Sequence, residues 1–335
     1  MAELKNRQWL LSARPTGMIK ESDFRWNETT LPPLKQGEVL LRNLVLSCDP
    51  TQRGWMAMDT YMPAVPLGAV MRALSVSQVV DSRNQGFASG DLVQGMTGWE
   101  DYTISDGRGM QKLPPGTDPL LAISLLGVTG LTAYFGVLDI GQPGPGQTFV
   151  VSGAAGATGS VAGMIARIKG CRVIGIAGGP AKCAWLLNEA GFDAAIDYKN
   201  EDVGSALSRL CPGGVDIYFD NVGGEILDLV LQRIANNARI VLCGGISQYN
   251  NPQGMFGAGP RNYFNLILRN ARMEGFIVLK FQSRFPEAVA ELSRWHAEGK
   301  IKNKLDVARG LENAPKALIR LFTGENLGKQ VVQLA

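Results

Sequence analysis

From residue 147 to about residue 278, short β-branched runs alternate with longer stretches of helical period. That is the pattern of βαβ units wound about a parallel sheet. The runs 148–152, 172–177, 194–197, 215–220, 239–243 and 273–279 predict six strands. Helical stretches at 159–169, 180–189, 201–210 and 225–234 fall between them, each set off from its strand by Gly, Asn or Asp. Residues 1 to about 125 are punctuated differently. Pro32, Pro33, Pro50, Pro63, Pro66, Pro114 and Pro115 separate strand-like runs such as 38–46 and 77–80, so a β-rich, loop-heavy domain is expected there. The apolar run 330–334 has no partner in the central block and is expected to return to the N-terminal domain. The fold class is therefore α/β, a doubly wound parallel sheet beside a smaller β-rich domain.

Composition agrees and excludes several classes. A chain of 335 residues is long enough for about two domains with cores of their own. The net charge is +3, with no run of five like charges, so neither nucleic acid nor an anionic membrane surface is an expected partner. Five cysteines without a C-x-x-C pair fit a reducing compartment, and the N-terminus has no long apolar centre of an export signal, so the cytoplasm is expected. Residues 119–138 carry no charge and are long enough to span a bilayer, but Gly127, Gly130 and Gly136 favour a buried helix, a turn and a second short helix.

The run 148–152 leads directly into Gly153-Ala154-Ala155-Gly156-Ala157-Thr158-Gly159, then into a helical stretch. In a strand, turn, helix context these glycines allow a tight turn and close approach of backbone to a pyrophosphate, whose charge the first N–H groups of the helix would meet. An NAD site normally has Asp or Glu at the end of the second strand, to bond the ribose 2′-hydroxyl. Here that strand ends Ala177-Gly178-Gly179-Pro180-Ala181-Lys182. No carboxylate stands there to repel a 2′-phosphate and Lys182 could pair with one, so NADP(H) is favoured over NAD(H).

A catalytic zinc needs about three protein ligands, and the chain has one histidine, His296, in a stretch that reads as a surface helix. No metal is expected. Hydride would then go to an acceptor whose developing charge is met by a weaker group, such as a phenol or a ribose hydroxyl, and an α,β-unsaturated carbonyl suits this. Among seven tyrosines Tyr249 stands out, because it follows the fifth strand, where α/β ligands bind.

The stretches Leu46-Ser-Cys-Asp-Pro with Arg53-Gly54, Gly130-Leu-Thr-Ala-Tyr134, 153–159, Tyr218-Phe-Asp-Asn-Val-Gly-Gly224, 243–250 and Asn326-Leu-Gly-Lys329 carry a resemblance along nearly the whole chain. The sequence resembles the zinc-independent medium-chain dehydrogenase/reductase superfamily, and within it the leukotriene B4 dehydrogenase/prostaglandin reductase group with plant double-bond reductases and bacterial curcumin reductase. The resemblance implies a GroES-like catalytic domain at 1–125, completed by about 300–335. It implies a Rossmann NADP-binding domain at 126–299 and a homodimer joined through the Rossmann sheets. Carried over, Gly156, Ala157, Thr158 and Gly159 meet the pyrophosphate, and Lys182 and Tyr198 the 2′-phosphate. Asn221, Cys243, Gly244, Gly245, Ile246, Ser247, Gln248 and Tyr249 line the rest of the cofactor, with Asn326 and a strand carrying Phe276, Ile277 and Val278. Tyr249 matches the family tyrosine that hydrogen-bonds the substrate carbonyl or enolate.

There are departures. Ala69 stands where the family often has glutamate, and Thr129 where it has proline. Thr51 and Gln52 replace bulkier residues, which would widen the pocket, and Trp55, Tyr61 and Met62 are its candidate walls or else core. The expected activity is NADPH-dependent reduction of the carbon-carbon double bond of enones or enals. Quinone reduction and non-catalytic NADPH binding remain alternatives.

Overall fold

The computed structural model describes residues 4–252, 257 and 259–334. The chain forms two compact units, one comprising the residues up to Ile123 with Leu305–Asn326 and the residues from Gln330 on, the other Ser124–Lys304 with Leu327–Lys329.

In the first unit β1 (Lys5–Leu11) pairs antiparallel with β2 (Phe24–Thr30). Then come β3 (Val39–Ser47), the short helix α1 (Gln52–Ala57), β4 (Arg72–Ser82), β5 (Leu92–Gly98), β6 (Tyr102–Ser105), β7 (Gln111–Lys112) and α2 (Pro119–Ile123). Alternation of buried and less buried positions along β3 and β4 puts one face of these strands into the core.

The second unit opens with α3 (Val128–Phe135) and a π-helical turn at Gly136–Gly141. The charge-free stretch 119–138 is thus divided between separate short helices, and no helix among the described residues is long and apolar enough to cross a membrane. Alternating strands and helices follow: β8 (Thr148–Ser152), α4 (Ala157–Ile168), β9 (Arg172–Ala177), α5 (Pro180–Asn188), β10 (Ala194–Asp197), α6 (Val203–Leu210), β11 (Val215–Asp220), α7 (Gly224–Leu231) and β12 (Ile234–Leu242). After them come α8 (Asn265–Leu268), β13 (Arg272–Gly275) and α9 (Phe285–Ala297). Among the described residues these strands form one parallel sheet in the order β10-β9-β8-β11-β12-β13. The order reverses between β8 and β11, and in such sheets ligands bind in the crevice beyond the strand ends at that reversal.

Two elements differ from expectation. β12 starts at Ile234 rather than 239, because Ile234 pairs with Val215 across a register shift, so the helix before it stops at Leu231. The sixth strand ends at Gly275 rather than 279, since β12, its partner, ends at Leu242, opposite Gly275. Phe276 and Ile277 therefore lie beyond the sheet, and Val278 opens a 3-10 helix running to Arg284.

The chain then returns to the first unit with β14 (Leu305–Arg309), α10 (Ala314–Thr323) and β15 (Lys329–Gln333). β15 pairs antiparallel with β3 through Val331 and Ser47, so the C-terminal strand does complete the β-rich sheet, ordered β14-β15-β3-β4-β5-β7 with β6 on β3. The core of this unit gathers Leu11, Leu46, Met56, Met71 and Trp99 against Leu318 of α10 and Val332 of β15. In the second unit Val150, Ile174, Ile176 and Ile240 of the strands pack with Leu207 of α6 and Val230 of α7.

Candidate functional site

The turn after β8 is shaped by an absence of side chains. A Cβ on Gly159 would stand 2.4 Å from the carbonyl oxygen of Gly153, closer than any side chain tolerates, while Gly153 itself takes a φ of +57°. Gly156 caps α4 from extended backbone (φ −87°, ψ 178°), and the N–H of Ser160 is the first to bond back, to Gly156 O at 3.1 Å. The N–H groups of Ala157, Thr158 and Gly159 precede it and have no carbonyl four residues back within the helix. The positive end of α4 thus opens on this turn, beside the sheet's reversal point. Gly328 lies alongside, bridged to Gly156, its N–H donating to Ala155 O at 2.8 Å. Asn326 is buried and belongs to the first unit, just before this strip.

A second feature lies at the end of β9. A Cβ on Gly178 would come within 2.8 Å of Tyr198 Cζ and Oη, so the phenol ring rests where a side chain would otherwise be. Tyr198 is 45% exposed and follows β10 directly. Gly179 N–H donates to Asp197 Oδ1 at 2.7 Å, and Pro180 and Lys182 fall in the first turn of α5. Lys182 and Tyr198 thus flank one strand-to-helix turn, and Asp197 is engaged with backbone there, its carboxyl held below the usual range first by Asn200.

The third feature is the loop after β12. Cys243 and Gly244 N–H groups donate to Asp220 O, at 2.9 and 3.0 Å, Ile246 N–H to Asn221 O at 3.2 Å and Ser247 N–H to Val222 O at 3.2 Å. Ser247 Oγ donates to Val222 O at 2.7 Å, and Gln248 Nε2 to Ser247 Oγ at 3.1 Å. A 3-10 turn at Ile246–Gln248 then brings Tyr249 back, so that Gly245 N–H donates to its Oη at 3.2 Å. The residues from Cys243 to Tyr249 are thereby brought beside Asn221, whose Nδ2 donates to Ser152 O at 2.7 Å. Burial, and after it the nearby Asp220, push the Cys243 thiol up to about 12, which leaves it un-ionised and unfit as a nucleophile.

Phe276 leaves the sheet to pack edge-on against Phe281, Ile277 is 46% exposed and Val278 is buried. In the first unit Trp55 is buried in the core, with the Tyr61 ring edge-on at 6.5 Å. Tyr61 is half exposed and shares a hydrogen bond of 3.1 Å with Thr51 Oγ1, and Met62 packs against the core. Gln52, expected to widen a pocket, is fully buried and holds the backbone of Asp49 and Arg72. Thr129 donates its hydroxyl to Ser124 O at 3.2 Å, a bond that proline could not make. His296 sits partly exposed on α9, its Nδ1 2.9 Å from Ile301 O.

Sequence reasoning missed Asp220 and Ser152, buried under the turn, and the backbone N–H of Gly245. Asp220 had a signal, an aspartate at the very end of a buried strand next to Asn221.

The chain is similar to known proteins along its length. Residues 7–113 match the family described as the N-terminal domain of oxidoreductase, and residues 157–294 the one described as zinc-binding dehydrogenase. The residues do not fit zinc, since among the described residues no group of three or more His, Cys, Asp or Glu could hold a metal ion. The NADPH-dependent curcumin reductase of Escherichia coli is 40% identical over 99% of this chain and 97% of that one. Prostaglandin reductase 1 of Rattus norvegicus is 41% identical over 98% of each. The structure of CurA in complex with NADPH from Vibrio vulnificus superposes with a TM-score of 0.93 at 42% identity, covering 98% of this chain and 99% of that one. Similarity of this degree along both units means that the chain belongs to the leukotriene B4 dehydrogenase/prostaglandin reductase group of the medium-chain dehydrogenase/reductase superfamily.

Proposed function

We propose that this protein is an NADPH-dependent reductase of the carbon-carbon double bond of α,β-unsaturated ketones and aldehydes, with Tyr249 as the catalytic donor. The glycine turn and the start of α4 fit a pyrophosphate, since side-chain-free backbone and the helix N-terminus converge there. Ala157, Thr158 and Gly159 would hold it, and Lys182 with Tyr198 would hold the 2′-phosphate. Asn221 and the loop from Cys243 to Tyr249 would line the nicotinamide half, with Phe276, Ile277 and Val278 beyond the sheet edge. When bound, NADPH supplies the hydride that reaches the β-carbon.

The observation that carries the reading is the bond from Gly245 N–H to Tyr249 Oη. Accepting from this backbone group fixes where the phenol oxygen stands at the end of the loop. As negative charge gathers on the substrate carbonyl oxygen, Tyr249 donates to it, and protonation at the α-carbon completes the reduction. Tyr61 and Met62 supply aromatic and apolar surface for the substrate, with Trp55 behind Tyr61.

We place the protein in the cytoplasm, which its five cysteines, spaced without a C-x-x-C pair, support, and infer a homodimer. The edge strand β13 has β12 as its partner, and near it Phe264, Ile267, Leu268 and Leu279 are all more than half exposed. Replacing Ile267 and Leu268 with Glu should yield a monomer by sedimentation.

The test is NADPH oxidation with an enal, a phenylbutenone, curcumin and a benzoquinone, with products identified by mass. Saturated carbonyl products are expected, with Tyr249→Phe slowing turnover about 100-fold while NADPH affinity holds. Hydroquinone as the only product, or tight NADPH binding without turnover, would overturn the reading.

A further inference from the structure

Asp220 ends β11 with a side chain that is 1% exposed and a role that substrate or cofactor contact does not require. Its Oδ1 accepts four hydrogen bonds: from Ser152 Oγ at 2.9 Å, Tyr218 Oη at 2.8 Å, Val222 N–H at 3.0 Å and Gly223 N–H at 2.9 Å. Its Oδ2 has no partner among the described residues. A buried carboxylate with one bare oxygen is costly, and apolar filling of the same volume would be cheaper, so its retention calls for a use.

The four bonds show that use. Ser152 Oγ, while donating to Asp220, accepts the N–H of Asn221 at 2.9 Å, so the end of β8 and the end of β11 are tied through one hydroxyl. The Val222 and Gly223 bonds fold the segment after β11 into a tight turn whose carbonyls face the next loop. Those carbonyls, at Asp220, Asn221 and Val222, receive the N–H groups of Cys243, Gly244, Ile246 and Ser247. Gly245 sits in the middle of this stitched stretch, and its N–H holds the Tyr249 hydroxyl. Displacing the Asp220 turn moves the row of acceptors, and with it the backbone group that aims the phenol.

We propose that Asp220 is a positioning residue for the reaction, acting through the turn at 220–223 to fix the loop of Cys243–Tyr249 and hence the Tyr249 hydroxyl. The inference rests on the proposed role of Tyr249. It differs from a general stabilising role in one respect: its effect on turnover must pass through the phenol.

A double-mutant cycle reads that difference. Asp220→Ala and the milder Ser152→Ala, which keeps the carboxyl but removes the hydroxyl link between Asp220 and the Asn221 N–H, are each made in the native sequence and in Tyr249→Phe. Turnover at saturating enone, NADPH dissociation constants from fluorescence and melting temperatures are measured for all. We expect Asp220→Ala to lower kcat about 30-fold and Ser152→Ala about fivefold in the native background, and both less than about twofold with Tyr249→Phe present. NADPH affinity should change far less than kcat, and Asp220→Asn, which keeps Oδ1 as acceptor, should restore most of the rate. Equal losses in both backgrounds overturn the role of Asp220 and leave that of Tyr249 intact. Should Tyr249→Phe itself leave kcat unchanged, the reading of Tyr249 fails and this inference with it. If Asp220→Ala does not fold, Ser152→Ala and Asp220→Asn decide between the same outcomes.

Discussion

The turn after β8 and the loop after β12 both lie at strand ends beside the sheet's reversal, yet they are held in opposite ways. In the first, shape comes from what is missing: Gly159 packs its bare Cα against Gly153 O, and a Cβ there would stand 2.4 Å away. In the second, glycine is nearly incidental. A Cβ on Gly245 would meet nothing nearer than Tyr249 Cε1 at 4.0 Å, and its φ is negative, −145°. That loop is held by hydrogen bonds to Asp220, Asn221 and Val222 from another strand. Three glycines in the one and two in the other therefore hide a local device in one place and a borrowed one in the other.

Substitution should expose the contrast. Gly159→Val should have the largest effect, destabilising the second unit by about 1–3 kcal/mol, the usual range for overpacking, and abolishing measurable NADPH binding. Gly245→Ala should leave folding stability and NADPH affinity within about 0.5 kcal/mol of the native values. Near-equal losses in the pair would break the comparison.

Lys182→Ala sharpens it by removing a charge and no shape. NADPH should bind about 10- to 100-fold more weakly, the range of a hydrogen bond to a charged group, with NADH affinity unchanged in the same titration. A smaller effect is expected from Gly178→Ala. The added methyl must displace Tyr198, which can swing outward because it is 45% exposed. The NADPH to NADH preference should then fall about threefold to tenfold, as for one neutral hydrogen bond, without loss of stability.

The smallest effect is a dependence on pH. Burial holds the Asp220 carboxyl above its ordinary value of 3.8, against the hydrogen bonds that lower it. Between the ordinary value and the raised one the folded chain keeps a proton that the unfolded chain has lost, so this group's contribution to stability is greatest below the ordinary value and is lost as pH rises through the raised one. Urea unfolding at a series of pH values should show that decline shallower in Asp220→Asn. Glu100, also buried and also raised, carries the same sign and keeps part of the slope.

Much of this was readable from the chain. Strands β8 to β11 lie where β-branched runs predict them, because a parallel strand buried on both faces needs a continuous apolar run. The glycine turn was legible for a related reason, being a contact within seven residues. Where pairing partners decide, the reading slipped: β13 stops at Gly275 because β12 has ended, and no residue of its own says so. Gln52, polar and next to a candidate pocket, proved to be fully buried scaffold, since its bonds go to Asp49 and Arg72, and Arg72 lies twenty positions away.

The sequence by itself determined the alternation of strands and helices, the backbone turn suited to a pyrophosphate and the absence of an acidic residue after β9. Each depends on neighbours a few positions apart, where side-chain period and steric exclusion act directly. Tertiary structure alone decided that Tyr198 lies on Gly178, that Asp220 ties β8 to β11, and that the N–H of Gly245 holds Tyr249. Those contacts are made by strand order and by buried polar groups that must find partners, and neither is written in any one stretch of the chain.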